Sequence, residues 1–205
     1  MRLRLRSLRS ILAALAVLAQ VGTGCGGEDA ADPPASPAAP ATPTAPTAPT
    51  EPALLGDDVP TPAGLTLAPV TLSGVTLRAP SGEGWTSEPN PMGSSYYEEA
   101  SDTTVMIQIQ SGVPALARGP YVEGMVGANE RDAPGYAVTG RADGSIAGVP
   151  AARIDGTFDN GTAYATRDYV VFTGGNAVAI MARAPTAGAD TMHAVVDAVA
   201  ATVGR

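Results

Sequence analysis

The sequence predicts an α+β domain, in which an antiparallel β-sheet carries a C-terminal helix packed on it. Three observations support this. Thr103 to Gln110 alternates apolar and polar residues, the period of a half-buried strand. Asn160-Gly161 and Gly174-Gly175 are tight-turn signals joining long β-rich segments. Met192, Val195, Val196, Val199 and Val203 recur at helical spacing and form one apolar stripe.

In chain order, Val105, Ile107 and Ile109 share one face of the first clear strand, with Met106, Gln108 and Gln110 on the other. Gly119-Pro120 suits a helix start, and Tyr121, Val122, Met125 and Val126 fall on one side of a helix running to about Arg131. Gly124 and Gly127 lower its intrinsic propensity, so it must lean on packing. Tyr136 to Arg141 and Ile146 onward, around Asp143-Gly144, read as a hairpin.

Ala151 to Phe158 and Thr162 to Thr173 flank Asn160-Gly161. A two-residue type I′ turn there sets Phe158 opposite Ala163, Ile154 opposite Arg167 and Arg153 opposite Asp168. One face then holds Ile154, Phe158, Ala163, Ala165, Tyr169 and Val171. The other holds Arg153, Asp155, Thr157, Tyr164, Thr166 and Asp168. The turn at Gly174-Gly175 sets Val171 opposite Val178 and Tyr169 opposite Ile180, which continues the meander. The last helix has Thr186 as its expected cap, Gly204 just past its end, and Asp190, His193 and Asp197 on its polar side.

The domain is expected over residues 70–205, preceded by a signal peptide at 1–24 and a tether at 25–69. Met1 to Ser10 carries four arginines and no acid, and Ile11 to Ala19 is an unbroken apolar run, the pattern of a secretory signal peptide. It is too short for a permanent membrane span. Gly22, Thr23 and Gly24 before Cys25 resemble the lipobox of bacterial lipoproteins, although Gly22 stands where an aliphatic residue is usual. That resemblance implies cleavage before Cys25 and attachment of a diacylglycerol to its thiol, anchoring the chain to a membrane. The alternative is ordinary cleavage after Val17-Leu18-Ala19, which leaves Cys25 as a thiol in the tail. With one cysteine, an intramolecular disulfide is excluded either way.

Beyond Cys25, prolines recur at 34, 37, 40, 43, 46, 49 and 52. Three residues is also the turn of a polyproline II helix, so thirty such residues reach roughly 90 Å at about 3.1 Å each. A low-complexity linker built from repeated Ala-Pro-Thr is the other reading, and both describe a spacer. Gly22, Gly24 and Gly27 spell a dinucleotide fingerprint with no strand before it and no helix after it.

All twelve basic residues are arginine. The absence of lysine excludes Schiff-base, phosphate-loop and lysine-base chemistry. Removing the leader leaves eight arginines against twenty acids, a balance that repels nucleic acid. His193 is the only histidine, and no G-x-S-x-G elbow occurs. Its spacing from Asp197 is that of a solvated helical pair. Glu98, Glu99 and Asp102, and Asp155 with Asp159, are expected as solvated loop acids, since neither set has calcium-loop spacing. Trp85 is expected as a core anchor, and with Tyr96 and Tyr97 it marks the best place for a ligand cleft.

Val75-Thr76-Leu77-Arg78-Ala79-Pro80 followed by Gly84-Trp85 resembles the opening of the PsbP-like and LpqN-like (Mog-type) domains. The strand at Val105 to Gln110, the Tyr121-Val122 helix, the Ile146 to Arg153 segment and the closing strands and helix continue the likeness. The resemblance implies an α/β/α sandwich around an antiparallel sheet, acting as a non-enzymatic accessory or protein-binding module without cofactor. The combined expectation is a cell-envelope lipoprotein with a protein partner, the outer membrane being favoured because Gly26 follows the cysteine. The alternative is a small-ligand-binding or weakly hydrolytic domain with its cleft near Trp85.

Overall fold

The computed structural model describes residues 51–56 and 58–203. The leader, Cys25, most of the proline ladder, and Gly204 lie outside the described residues. The chain begins its regular structure with a hairpin, β1 (Thr66–Leu72) and β2 (Val75–Ser81), which forms a separate two-stranded sheet. Then come β3 (Trp85–Asn90), β4 (Gly93–Glu98) and β5 (Thr103–Ser111), and a helix, α1 (Arg118–Asp132). Four long strands follow: β6 (Ala137–Ile146), β7 (Val149–Asp159), β8 (Ala163–Thr173) and β9 (Asn176–Pro185), and the chain closes on α2 (Ala189–Ala200).

The main sheet is antiparallel throughout, in the order β3-β4-β5-β9-β8-β7-β6. Crossing over with α1 carries the chain from β5 to the far edge, and the meander then walks back until β9 pairs with β5. Val105, Ile107, Ile109, Val178, Ile180, Tyr169 and Val171 meet Met192, Val195, Val196 and Val199 of α2 on one face, joined by Leu77 and Ala79 of β2. The opposite face carries a smaller core, in which Val122 and Met125 of α1 pack on Ile154, Val170, Phe172 and Ala179. Tyr121 meets Phe172 edge-on, with ring centroids 6.0 Å apart. The layers are therefore α1, the seven-stranded sheet, and α2 with the β1–β2 hairpin, a sandwich of the expected α+β kind.

Several local expectations hold. Val105, Ile107 and Ile109 are buried together, and the Gly174-Gly175 turn gives the expected pairs Val171↔Val178 and Tyr169↔Ile180. The Asn160-Gly161 hairpin does not. Its loop takes three residues, so Phe158 faces Tyr164, Ile154 faces Asp168 and Arg153 faces Tyr169. The Asp159 carboxylate accepts the Gly161 amide at 2.7 Å, and Gly161 adopts φ 98°, which draws Thr162 into the turn. One residue of slip sends a strand's side chains to the other face. Ile154 and Phe158 consequently lie under α1, whereas Ala165, Tyr169 and Val171 lie under α2; they do not form one apolar face.

Asp143-Gly144 is not a turn either. β6 runs through it, and the reversal falls at Ala147-Gly148, both at positive φ (50° and 76°). Gly144 instead admits the incoming chain: a Cβ there would lie 2.2 Å from the Pro52 carbonyl oxygen. Ala53 bridges Ser145 in parallel, with Leu54 N–H donating to Ser145 O at 2.8 Å and Ser145 N–H to Pro52 O at 2.9 Å. Leu54 and Leu55 pack on the larger core, and Arg118 donates to both Glu51 carboxylate oxygens at 2.9 and 2.8 Å. Folded structure thus reaches back to Glu51, and β1 starts at Thr66 rather than beyond 69. Thr186 does not cap α2. It opens a short 3₁₀ turn, and its hydroxyl donates to Ala163 O at 3.0 Å.

Candidate functional site

Residues singled out by sequence scatter over the fold. Trp85 and buried Tyr96 belong to the α2 side and pack with the larger core, as the core-anchor reading expects. Tyr97 faces the other way, opposite Thr104. Its hydroxyl donates to Asp102 Oδ1 at 3.3 Å, and Tyr164 donates to Asp102 Oδ2 at 2.5 Å. Asp102 accordingly pushes the Tyr164 phenol up to about 12, by that hydrogen bond first and burial second. The Glu98 carboxylate accepts the Ala100 and Ser101 amides at 3.1 and 2.8 Å and closes the β4–β5 turn. Glu99 is exposed. These acids organise a loop.

Asp155 is not a loop acid. It sits inside β7 and accepts from Arg167 Nε at 2.6 Å, with Arg153 Nε at 3.2 Å. Arg167 reaches on to Asp197 of α2 at 3.1 Å, and the Tyr169 hydroxyl donates to the same carboxylate at 2.8 Å. This network ties α2 to the sheet through half-buried charges. Arg167, which the two-residue turn would have set opposite Ile154, is its centre. His193 stands beside it half-buried, and burial together with the Arg167 charge pushes its imidazole below the ordinary value. Asp197 is engaged by Arg167 and Tyr169, so the expected solvated His193–Asp197 pair is replaced by this cluster.

A cavity lies elsewhere than the sequence expects. It lies on the α1 face, about 240 Å³ in volume, between the C-terminal half of α1, the β3–β4 turn and strands β5, β8 and β9. Met92, Met106, Met181 and Phe158 supply its apolar wall. Trp85 and Tyr96 do not line it, which moves the expected cleft to the opposite side of the sheet. Its polar end gathers Asn129, Tyr136, Thr166 and Asp168. Asp168 is 3% exposed and Thr166 8%. Asn129 Nδ2 donates to Asp168 Oδ2 at 3.3 Å. Burial, with Asp155 adding to it, raises the Asp168 carboxyl from 3.8 to about 7, against the lowering pull of Asn129 and the Ala182 amide.

The hydroxyls of Tyr136 and Thr166 are buried beside Asp168 without a well-aligned hydrogen-bond partner. Both lie over Gly156, where a Cβ would come within 2.8 and 2.9 Å of them. Glycine there is what lets the Tyr136 ring approach the strand so closely. The signal available in sequence was indirect: the one-residue register shift places Asp168, Thr166 and Phe158 on a common face. Among the described residues, no group of three or more His, Cys, Asp or Glu side chains is placed to hold a metal, and no helix is long and apolar enough to cross a membrane.

No family model and no curated protein matches the sequence. Solved structures do match in shape. Cyanobacterial PsbP (CyanoP) from Synechocystis sp. PCC 6803 superimposes with a TM-score of 0.50 at 12% identity, over 67% of this chain and 91% of its own. LpqN of Mycobacterium tuberculosis, a protein involved in cell envelope biogenesis, gives 0.49 at 13% identity, over 68% and 90%. The Saccharomyces cerevisiae Ran-binding protein Mog1p gives 0.47 at 12%, over 68% and 93%. At such identities the likeness speaks for architecture alone, and the PsbP superposition carries it: the described part of this chain has a PsbP-like α+β fold.

Proposed function

We propose that this protein is a lipid-anchored lipoprotein of the bacterial cell envelope, whose domain serves as a non-enzymatic accessory module for a protein partner. The observation that carries this reading is Cys25, set between an arginine-led apolar leader and a proline spacer. The fold agrees with a binding role without assigning one. Docking of Glu51 to Leu55 against β6 and α1 supports a fixed exit for the tether, so the spacer orients the domain as well as distancing it. The outer membrane remains the favoured site of anchoring.

Labelling cells with a radioactive fatty acid tests the anchor. The chain is expected to take up label and Cys25→Ser to lose it, and an unlabelled native chain overturns the reading. Crosslinking in intact cells, followed by identification of the captured protein, tests the partner. A second reading, a small-ligand-binding domain, is favoured by one observation: a cavity with a buried acid and two unpartnered hydroxyls at its end.

A further inference from the structure

We propose that the cavity beneath α1 binds a small organic amine, with its ammonium group held by Asp168, Tyr136 and Thr166 and its apolar body against the three methionines. This names the ligand class for the second reading above and rests on it. The argument starts from Asp168. A carboxylate taken out of water without a counter-ion costs several kcal/mol, and an uncharged side chain of the same size would avoid that cost. None of the ion pairs among the described residues includes Asp168. Its hydrogen-bond donors are an amide side chain and a backbone amide, both neutral.

Charged and titratable groups around Asp168 leave the missing cation to come from outside. From α1 and the segment after it come Asp132 and Tyr136, from β9 Arg183, and through the sheet Asp155. Arg183 lines the cavity but acts on Tyr164 of the Tyr164–Asp102 pair. The Tyr136 and Thr166 hydroxyls lie beside the acid, close to each other and to Asn129 but without a well-aligned bond, so their oxygens can still accept from an incoming donor. An ammonium has three donors and no acceptor, matching one carboxylate and two hydroxyl oxygens. An alcohol brings one donor and leaves the charge uncompensated.

The opposite wall fixes the rest of the molecule. Met92, Met106 and Met181 are polarisable and adaptable, suited to an apolar body of no single shape. A cavity of 150 Å³ is known to hold benzene, so about 240 Å³ takes up to roughly ten non-hydrogen atoms, room enough for benzylamine or hexylamine. The strongly acidic chain draws cations toward it as well.

The test is calorimetric titration of the mature chain with benzylamine and hexylamine, beside benzyl alcohol as the neutral isostere, at pH 8. Methyl resonances of the methionines are followed by NMR. Both amines are expected to bind at least tenfold tighter than the alcohol and to shift the methyls of Met92, Met106 and Met181. Asp168→Asn is expected to cut amine affinity at least tenfold while melting no lower than the native protein, and Thr166→Val to weaken it less. Alcohol binding as tight as amine overturns the amine class while leaving a ligand cavity. Failure of all probes at millimolar concentration, with native melting intact, overturns both. Amine affinity unchanged in a folded Asp168→Asn protein overturns the assignment of the acid.

Discussion

Asp168→Asn also tests the electrostatics of the α1 face without any ligand. The carboxyl is 3% exposed, and its value in the folded chain is about 7 against 3.8 in an unfolded one. Below about pH 3 it is neutral in both states, and the two proteins should be nearly equal in stability. As pH rises, the unfolded chain releases its proton first, and native stability falls relative to the variant until the folded carboxyl also ionises near pH 7. The loss then levels off. A gap of roughly three pH units, at about 1.4 kcal/mol each, amounts to something on the order of 4 kcal/mol. For a domain of this size that is a melting difference of roughly 10 °C. Urea unfolding of both proteins at half-unit steps from pH 4 to 8.5 measures the difference directly, since every other group titrates alike in the two. A difference that stays flat across that range refutes the reasoning, because Asp168 would then be ionised in both states throughout.

Three further outcomes follow from the geometry. Gly144→Ala sets a methyl 2.2 Å from the Pro52 carbonyl oxygen and should expel residues 51–55 from β6, seen as faster proteolysis there with the core melting little changed. Gly156→Ala meets the Tyr136 and Thr166 hydroxyls at 2.8 and 2.9 Å and should lower stability by about 1–3 kcal/mol in urea unfolding, with loss of near-ultraviolet tyrosine signal. Arg167→Met removes the charge between Asp155 and Asp197, both mostly buried, and should cost about 3 kcal/mol; a loss below about 0.5 kcal/mol would show the network to be dispensable.

Periodicity and glycine turns went far in locating the elements, because α2's stripe and β5's alternation each reflect one strongly buried face. The Gly174-Gly175 register was countable since both positions take positive φ, at 57° and 76°. Asn160-Gly161 misled for a local reason. The Asp159 side chain, one residue before the turn, competes for the Gly161 amide and widens the loop to three residues. Asp143-Gly144 misled for a distant one, since its glycine answers to Pro52, some ninety positions earlier. The site was illegible for the same two reasons. The expected register set Phe158 on the face opposite Thr166 and Asp168, and the cavity depends on where α1 rests.

Why a cavity should form on this face follows from α1 itself. The helix offers small or polar residues toward its C-terminal half, where Gly124, Gly127, Ala128 and Asn129 succeed one another, and its large apolar contacts end at Met125 and Val126. Around Val122 and Met125 the helix can close against Ile154, Val170 and Phe172. One turn later it has too little side chain to reach the sheet, and the gap is walled by Met106, Met181 and Phe158 from below. α2 has no such interruption: Met192, Val195, Val196 and Val199 are all buried along its length, and the charged groups beneath it are paired. The two faces therefore differ in kind. The α2 face pairs its charges and fixes the fold, while the α1 face holds an acid without a counter-ion and two hydroxyls without well-aligned bonds. On the proposed reading the binding chemistry belongs to that α1 face, on the side of the sheet away from Trp85.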